Sequence, residues 1–318
     1  MPIAFITGIT GQDGGYLAEQ LLAEGAAVHG LVRHAGELAP TEQAHPGVSL
    51  HVADLTDTAG VAGLLAEIAP DEIYNLAGIS SVARSWQEPV ATGEVSGLAA
   101  AGVLQSAWEL AERLGRRVSV VQASSAEIFG NPATAPQDES TPIAPVTPYG
   151  AAKAYAHHMA RVYRGRGLHA ATVILYNHES PRRPPAFVTR KITQGAAMIA
   201  RGEQDELALG NLDARRDWGW APDYVDAMVR AARHDVPDDF VIATGQAHSV
   251  AEFVAAAFRA AGIDDWQRYV RVDPAFVRPV DAVELTGDAT RARAVLGWVP
   301  TVGFDEIVAR MVRTDLGR

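Results

Sequence analysis

Tyr149 and Lys153 stand four residues apart in Thr147-Pro148-Tyr149-Gly150-Ala151-Ala152-Lys153. The segment reads as a helix start, with Thr147 as N-cap and Pro148 at the first position. Residues i and i+4 share a helix face, so an ammonium lies beside a phenol at the positive end of a helix. That pairing lowers the cost of phenolate and suits Tyr149 to accept a proton from a substrate hydroxyl. Lysine is scarce here: of 27 basic residues only Lys153 and Lys191 are lysine, and Lys153 falls in this motif. Upstream, Gln122-Ala123-Ser124-Ser125-Ala126-Glu127 leaves the end of a strand. Ser125 can hydrogen-bond the same substrate oxygen, and Glu127 can remove a carbon-bound proton next to a new ketone, which simple hydride transfer does not need. Taken singly, a YxxxK pair arises by chance, and Glu127 equally reads as a loop carboxylate capping a helix or pairing with an arginine.

A second constellation lies at the N-terminus. Thr7-Gly8-Ile9-Thr10-Gly11-Gln12-Asp13-Gly14 follows the first strand and opens a helix. Glycines at 8, 11 and 14 permit a tight turn and close backbone approach to a pyrophosphate, which the helix N-terminus then faces. The spacing is GxxGxxG. The second strand ends Leu31-Val32-Arg33-His34, with no carboxylate before Glu37 to bind a ribose 2′-hydroxyl. A guanidinium at Arg33 suits a 2′-phosphate, so the expected cofactor is NADP; the alternative for Arg33 is an exposed side chain paired with something unrelated. Asp54-Leu55 and Leu76-Ala77-Gly78 close the third and fourth strands, where an open α/β sheet binds ligands.

These residues need a scaffold that aligns strand ends. Strands are expected over Ile3–Thr7, Ala27–Val32, Val48–Ala53, Glu72–Leu76, Val118–Ala123 and Ala170–Tyr176. Helices are expected over Tyr16–Ala23, Ala59–Ile68, Leu98–Arg113 and Tyr149–Arg164. Short β-branched runs alternating with Ala/Leu-rich helices mean βαβ units, hence a Rossmann-type, doubly wound parallel sheet in the α/β class. After residue 176 the texture changes: Asn177–Pro185 is polar and proline-rich, and 201–220 is loop-rich. Helices are expected at Phe187–Ala200, Pro222–Arg233, Val250–Ala261 and Phe304–Arg313, a strand at Phe240–Ala243, and irregular chain over Asp264–Val283. The division expected is 1–176 for the dinucleotide, with 222–245 returning to it, and 177–221 plus 246–318 as a smaller α/β substrate-binding part.

Composition excludes other classes. With 318 residues, 48% hydrophobic and 20% charged, the chain has ample core. The 27 basic and 38 acidic residues give −11, a charge that repels nucleic acid and anionic lipid. There is no cysteine, hence no disulfide, thiolate metal site or cysteine nucleophile, and this fits the cytoplasm. No metal-ligand pattern, signal peptide or apolar run of membrane-spanning length is seen. Residues 182–216 hold seven Lys/Arg and four Asp/Glu, a local +3 suited to a diphosphate, of which intramolecular ion pairs account for about half. Trp218 and Trp220 could flank a base, although core packing is the simpler role.

The blocks TGITGQDGGYLAEQLL, QASSAEIFG, TPYGAAKAYA, NHESPRR, FVTRKI, LGNLDARRDWG and DFVIATG together resemble the extended short-chain dehydrogenase/reductase family, and within it the GDP-mannose 4,6-dehydratases. They span nearly the whole chain, and NHESPRR and GNLDARRDWG are specific to that group. The resemblance implies a hydro-lyase acting on GDP-mannose or a closely related GDP-hexose. A hydride leaves C4 while Tyr149 takes the O4 proton. Glu127 removes the C5 proton as water leaves from C6, and the hydride returns to C6. By the same matching Thr10, Gln12, Asp13, Ser80, His178 and Arg183 contact the cofactor, and Lys153 its nicotinamide ribose. Ser80, Asn177, Val188, Lys191, Gly210, Arg216 and Arg278 contact the nucleotide sugar.

The chain departs from the pattern at three places. Ala126 replaces a common serine, His34 replaces the second arginine of an Arg-Arg pair, and His34–Gly47 is shorter than the family's loop. In relatives that loop reaches a neighbouring subunit near its cofactor, so a homodimer is as compatible as a homotetramer. Ser80-Ser81-Val82 with Trp86 has some character of the related reductases, which keeps a 4-epimerase or 4-ketoreductase as the alternative. A catalytically silent cofactor sensor would have no need of Tyr149 and Lys153.

Overall fold

The structure, a computed structural model, describes residues 1–276 and 284–317; Arg278, expected at a sugar-nucleotide contact, lies outside the described residues. Its strands are β1 (Ile3–Thr7), β2 (Ala27–Val32), β3 (Ser49–Val52), β4 (Glu72–Asn75), β5 (Ser119–Ser125), β6 (His169–Leu175), β7 (Asn177–Glu179), β8 (Leu207–Leu209), β9 (Arg215–Trp220), β10 (Asp239–Ile242), β11 (Ala247–Ser249), β12 (Val270–Val272) and β13 (Glu284–Leu285). The helices are α1 (Gln12–Ala23), α2 (Leu38–Ala44), α3 (Thr58–Ile68), α4 (Val82–Gln87), α5 (Pro89–Gly93), α6 (Ala99–Leu114), α7 (Pro148–Gly165), α8 (Val188–Ala200), α9 (Ala221–Arg233), α10 (Val250–Ala260), α11 (Thr290–Leu296) and α12 (Phe304–Asp315).

Seven strands pair in parallel in the order β10-β6-β5-β4-β1-β2-β3. Apart from the edge strand β3, their apolar, β-branched residues are buried on both faces. One face packs α1 and α9 through Leu17, Leu21, Val225 and Met228. The other packs α3, α6 and α7 through Val61, Leu65, Val103, Leu104 and Ala160. This two-sided burial lets the strands read as continuous apolar runs. Strand order reverses between β1 and β4, so their carboxyl ends open a crevice. Thr7 and Asn75 stand on its two sides.

One residue after β6 the chain enters a second, smaller sheet. Its centre is β9, paired in parallel with β7 and β13 and antiparallel with β11. A third core gathers α8, α10 and α12 around Ile192, Phe253, Phe258, Ile307 and Trp218. Several expectations fail here. The polar stretch from Asn177 contains β7, the loop-rich stretch contains β8 and β9, and the irregular 264–283 contains β12. Helix α11 has no counterpart among the expected helices. Strands of two to six residues with polar sequences such as Asn-His-Glu carry no alternation of their own; a partner strand makes them strands. Among the described residues no helix is long and apolar enough to cross a membrane.

Candidate active site

The glycine turn is drawn as tight as the backbone allows. Gly8 has φ +79°, and a Cβ there would stand 2.9 Å from the Ala77 nitrogen. At Gly14 a Cβ would stand 2.2 Å from the Gly8 carbonyl oxygen. Thr10 and Gly11 remain exposed on the outer side of the turn, so their backbone is open to a diphosphate. The residues present therefore fit a dinucleotide. Behind the turn, Gln12 and Asp13 reach across to β7. Gln12 Nε2 donates to the His178 carbonyl at 3.1 Å, and Ser180 Oγ donates to Gln12 Oε1 at 2.7 Å. His178 Nε2 lies 2.9 Å from Asp13 Oδ2, and its Nδ1 lies 2.8 Å from the Tyr176 carbonyl. Both ring nitrogens face acceptors, an arrangement that favours the doubly protonated imidazole. Burial opposes that charge, but the Asp13 carboxylate outweighs it and raises His178; in turn burial pushes Asp13 up, and His178 holds it below the usual range.

A ladder of polar side chains crosses the strand ends and finishes at Lys153. Thr7 Oγ1 donates to Asn75 Oδ1 (2.7 Å), and Asn75 Nδ2 donates to Gln122 Oε1 (2.8 Å). The amides of Leu76 and Ala77 both donate to Thr7 Oγ1 at 3.1 Å, which fixes the loop after β4. Lys153 Nζ donates to the Ala123 carbonyl at 2.9 Å, and a Cβ on Gly78 would come within 3.8 Å of that nitrogen. Burial lowers the Lys153 ammonium to about 8. Ser96, from a π-helical turn between α5 and α6, accepts the Ile79 amide at 2.9 Å and supports the same loop. Thr7, Asn75, Gln122 and Ser96 are not among the residues expected from sequence; for Thr7 and Asn75, polar residues at the last positions of apolar strands were the available signal.

The start of α7 carries the phenol. Thr147 Oγ1 accepts the Gly150 amide at 2.9 Å, as its N-cap assignment requires. Gly150 is pressed against the turn holding Glu127: a Cβ there would stand 2.5 Å from the Glu127 carbonyl oxygen. This close approach brings Ser125, Glu127 and Tyr149 together. Ser125 Oγ accepts the Glu127 amide at 3.3 Å. Burial pushes the Tyr149 phenol up to about 12; the Ser125 hydrogen bond acts downward, and Glu127 and Asp13 act upward. Lys153 Nζ is 5.9 Å from the Tyr149 ring centroid, and desolvation of the phenol dominates.

Other candidates sit farther out. Arg33 is 76% exposed and clasps Glu37, with Nη2 2.6 Å and Nε 3.1 Å from Oε1. Asp54 accepts the Thr56 amide and hydroxyl, Leu55 is buried beside it, and Ser80 is exposed. Asn177 and Arg216 lie on the small sheet, in β7 and β9, and Val188 opens α8. Lys191 Nζ lies 3.7 Å over the Phe276 ring, and Gly210 leaves room for the Phe276 carbonyl, so these three meet. The basic stretch is more neutralised than expected. Arg182, Arg183, Arg190, Arg201 and Arg215 pair with Glu19, Glu179, Asp315, Glu203 and Glu284. At least five of its seven cations are therefore in ion pairs. Trp218 is core, packed on Phe253, and Trp220 lies under Arg310. No cluster of metal-ligating side chains occurs among the described residues.

A family profile described as GDP-mannose 4,6 dehydratase matches residues 5–311. GDP-mannose 4,6 dehydratase 2 of Arabidopsis thaliana is 44% identical, over 99% of this chain and 87% of its own. The Homo sapiens GDP-mannose 4,6 dehydratase is 42% identical, over 99% and 91%. Among solved structures, the UDP-glucose 4-epimerase of Thermus thermophilus in complex with NAD superposes with TM-score 0.86 at 27% identity, covering 99% of both chains. DesIV, a dTDP-glucose 4,6-dehydratase of Streptomyces venezuelae with NAD bound, gives 0.84 at 25%, covering 98% and 96%. The Pseudomonas aeruginosa protein RMD, complexed with NADPH, shares the fold with TM-score 0.81 at 22%, covering 100% of both chains.

Proposed function

The chain belongs to the GDP-mannose 4,6-dehydratase family, and from that premise we propose that it converts GDP-mannose to GDP-4-keto-6-deoxymannose and water. One observation carries the reading: Ser125, Glu127 and Tyr149 meet where the Glu127 turn abuts Gly150. Oxidation and return of hydride at a single sugar need only the phenol, the serine and the lysine. A carboxylate in the same cluster adds the base that an elimination requires.

When bound at the glycine turn, a nicotinamide supplies a reversible hydride acceptor, so a sugar can be oxidised at C4 and reduced at C6 without net redox change. The chain's own groups handle protons and position. Ser125 orients the sugar O4, and Tyr149 takes its proton. Lys153, anchored on Ala123, places its ammonium to hold the nicotinamide ribose and to favour the phenolate. Once C4 is a ketone, the C5 hydrogen is acidified. Glu127 removes it while the C6 hydroxyl departs as water, and a proton is later returned to C5. Asp13, His178 and Arg183 secure the dinucleotide side. Asn177, Val188, Lys191, Gly210 and Arg216, with Arg278, secure the nucleotide sugar, whose diphosphate suits the cations Lys191 and Arg216.

Arg33 favours NADP through the 2′-phosphate, with Glu37 as its competitor for the guanidinium. Residues 1–176 and 222–245 form the cofactor unit, and 177–221 with 246–318 the sugar-nucleotide unit. The protein works in the cytoplasm as a homodimer or homotetramer. The exposure of Leu98, Tyr155 and Val162 beside the α6–α7 pair supports that reading.

The test is incubation with GDP-mannose and NADP+, with mass spectrometry of the nucleotide sugar. Loss of one water without net NADPH is expected, and an unchanged mass would send the assignment to an epimerase or reductase. In deuterated water Glu127→Gln should abolish C5 exchange and lower turnover by about 10²–10⁴-fold.

A further inference from the structure

The segment between β2 and β3 does not project from the molecule. Its helix α2 lies along the subunit, with Leu38 packed against the first core and Thr41 buried, its hydroxyl donating to the Glu37 carbonyl at 2.6 Å. Folding back in this way sets His45 on α1. The contact requires a glycine: a Cβ at Gly15 would stand 2.8 Å from His45 Cε1 and 3.4 Å from Arg182 Nη1. His45, Arg182, Thr10, Gly11 and Gln12 then wall a cavity of about 250 Å³ at the α1 N-terminus. Arg182 stacks over Tyr16 at 4.1 Å and pairs with Glu19 at 2.7 Å. His45 Nδ1 is 3.7 Å from the same Glu19 oxygen, too far to hydrogen-bond, and it is a buried nitrogen with no partner. Helix amides without intrahelical acceptors, a guanidinium and an imidazole thus line one space.

We infer that His45 is a ligand for a phosphoryl oxygen of the dinucleotide, and that this chain closes its cofactor diphosphate site in cis, with its own short segment. The inference rests on the dinucleotide reading of the glycine turn. Its chemistry is specific. Glu19 on α1 and Arg182 after β7 are the charged groups facing the imidazole. Burial holds His45 low, Glu19 acts upward and Arg182 downward, a balance that favours the uncharged ring. A phosphate arriving beside it favours the protonated form, and binding then takes up a proton. Affinity for the anion therefore rises as pH falls from 8 to 6.

The experiment is calorimetric titration of the protein with NADP+ and, separately, with inorganic pyrophosphate, at pH 6 and pH 8. His45→Ala is expected to weaken both ligands about tenfold at pH 6 and to flatten the pH dependence. Gly15→Ala drives a methyl group into the imidazole and should weaken binding likewise, although alanine favours the helix and the thermal midpoint should not fall. The same drop should appear at protein concentrations above and below self-association; a drop confined to the associated form overturns closure in cis. If NADP+ binds His45→Ala as tightly as wild type at both pH values, the His45 inference falls while the dinucleotide reading stands. If pyrophosphate binding depends on His45 but NADP+ does not bind, the anion site stands and the dinucleotide reading falls. Binding of neither ligand to the wild type overturns both.

Discussion

Lys153 shows how burial and function oppose each other in one side chain. Its ammonium is 5% exposed and satisfied by one carbonyl, and its pKa falls to about 8 from 10.5. Because the folded state releases the proton first, the unfolded chain binds more protons between pH 8 and pH 10.5, and stability rises with pH in that window. Lys153→Met should remove this rise, worth up to about 3 kcal/mol at about 1.4 kcal/mol per pH unit; urea titrations of both proteins at pH 8 and pH 10 measure it. Lys153→Arg should not restore turnover, because the planar fork cannot occupy the ammonium's position on Ala123. Arg33 poses a different balance. With Glu37 holding its guanidinium, Glu37→Gln should release Arg33 and raise the preference for NADP over NAD about three- to tenfold. Arg33→Ala should lower NADP affinity and leave NAD unchanged. Equilibrium binding of both cofactors reads the outcome.

Among the elements, α7 makes the sharpest test, because it contains two glycines in opposite circumstances. Gly165 faces open space, so Gly165→Ala should stabilise the protein by about 1 kcal/mol through helix propensity alone. Gly150 has the same intrinsic preference, but a methyl group would collide with the Glu127 carbonyl at 2.5 Å. Gly150→Ala should therefore lower both the thermal midpoint and kcat, by about tenfold or more, as the Glu127 turn is pushed from Tyr149. An unchanged kcat would remove the argument that this contact assembles the site. The cap of this helix was legible in sequence, since Thr147-Pro148 carries its own signal. The packing of Gly150 was not, because its partner lies on another element.

At the scale of the whole molecule, the small sheet is tied to the large one by Asp217 of β9. Its carboxylate is fully buried and accepts the Thr244 amide (2.9 Å), the Thr244 hydroxyl (2.6 Å) and the Gly245 amide (2.8 Å), all just beyond β10. Asp217→Ala would strip three part-buried donors of their shared acceptor, so a loss of about 1–3 kcal/mol is expected in thermal or urea melts. If the two sheets were independent, the variant would instead show a second, separate transition. Self-association belongs to the same scale. Leu98→Glu with Val162→Glu should convert the protein to a slower-sedimenting monomer in sedimentation velocity, without loss of secondary structure. An unshifted boundary would place the contact elsewhere.

Sequence alone determined whatever depends on near neighbours along the chain. The six leading strands, the four longer helices between them, the glycine turn and the Tyr149–Lys153 face follow from periodicity, caps and backbone permissiveness, all encoded within a few residues, whereas α2, α4 and α5 carry no such signal. The tertiary structure decided what depends on residues far apart. Asn-His-Glu became a strand because Trp218 to Trp220 lay alongside it. Asp13 found His178 across 165 residues, at least five of the seven cations in the basic stretch found acids, and Gly15 found His45. Whether a phenol titrates early or late was settled the same way. Spacing placed an ammonium near Tyr149, but desolvation is set by everything that packs around the ring, and it outweighs one charge about 6 Å away.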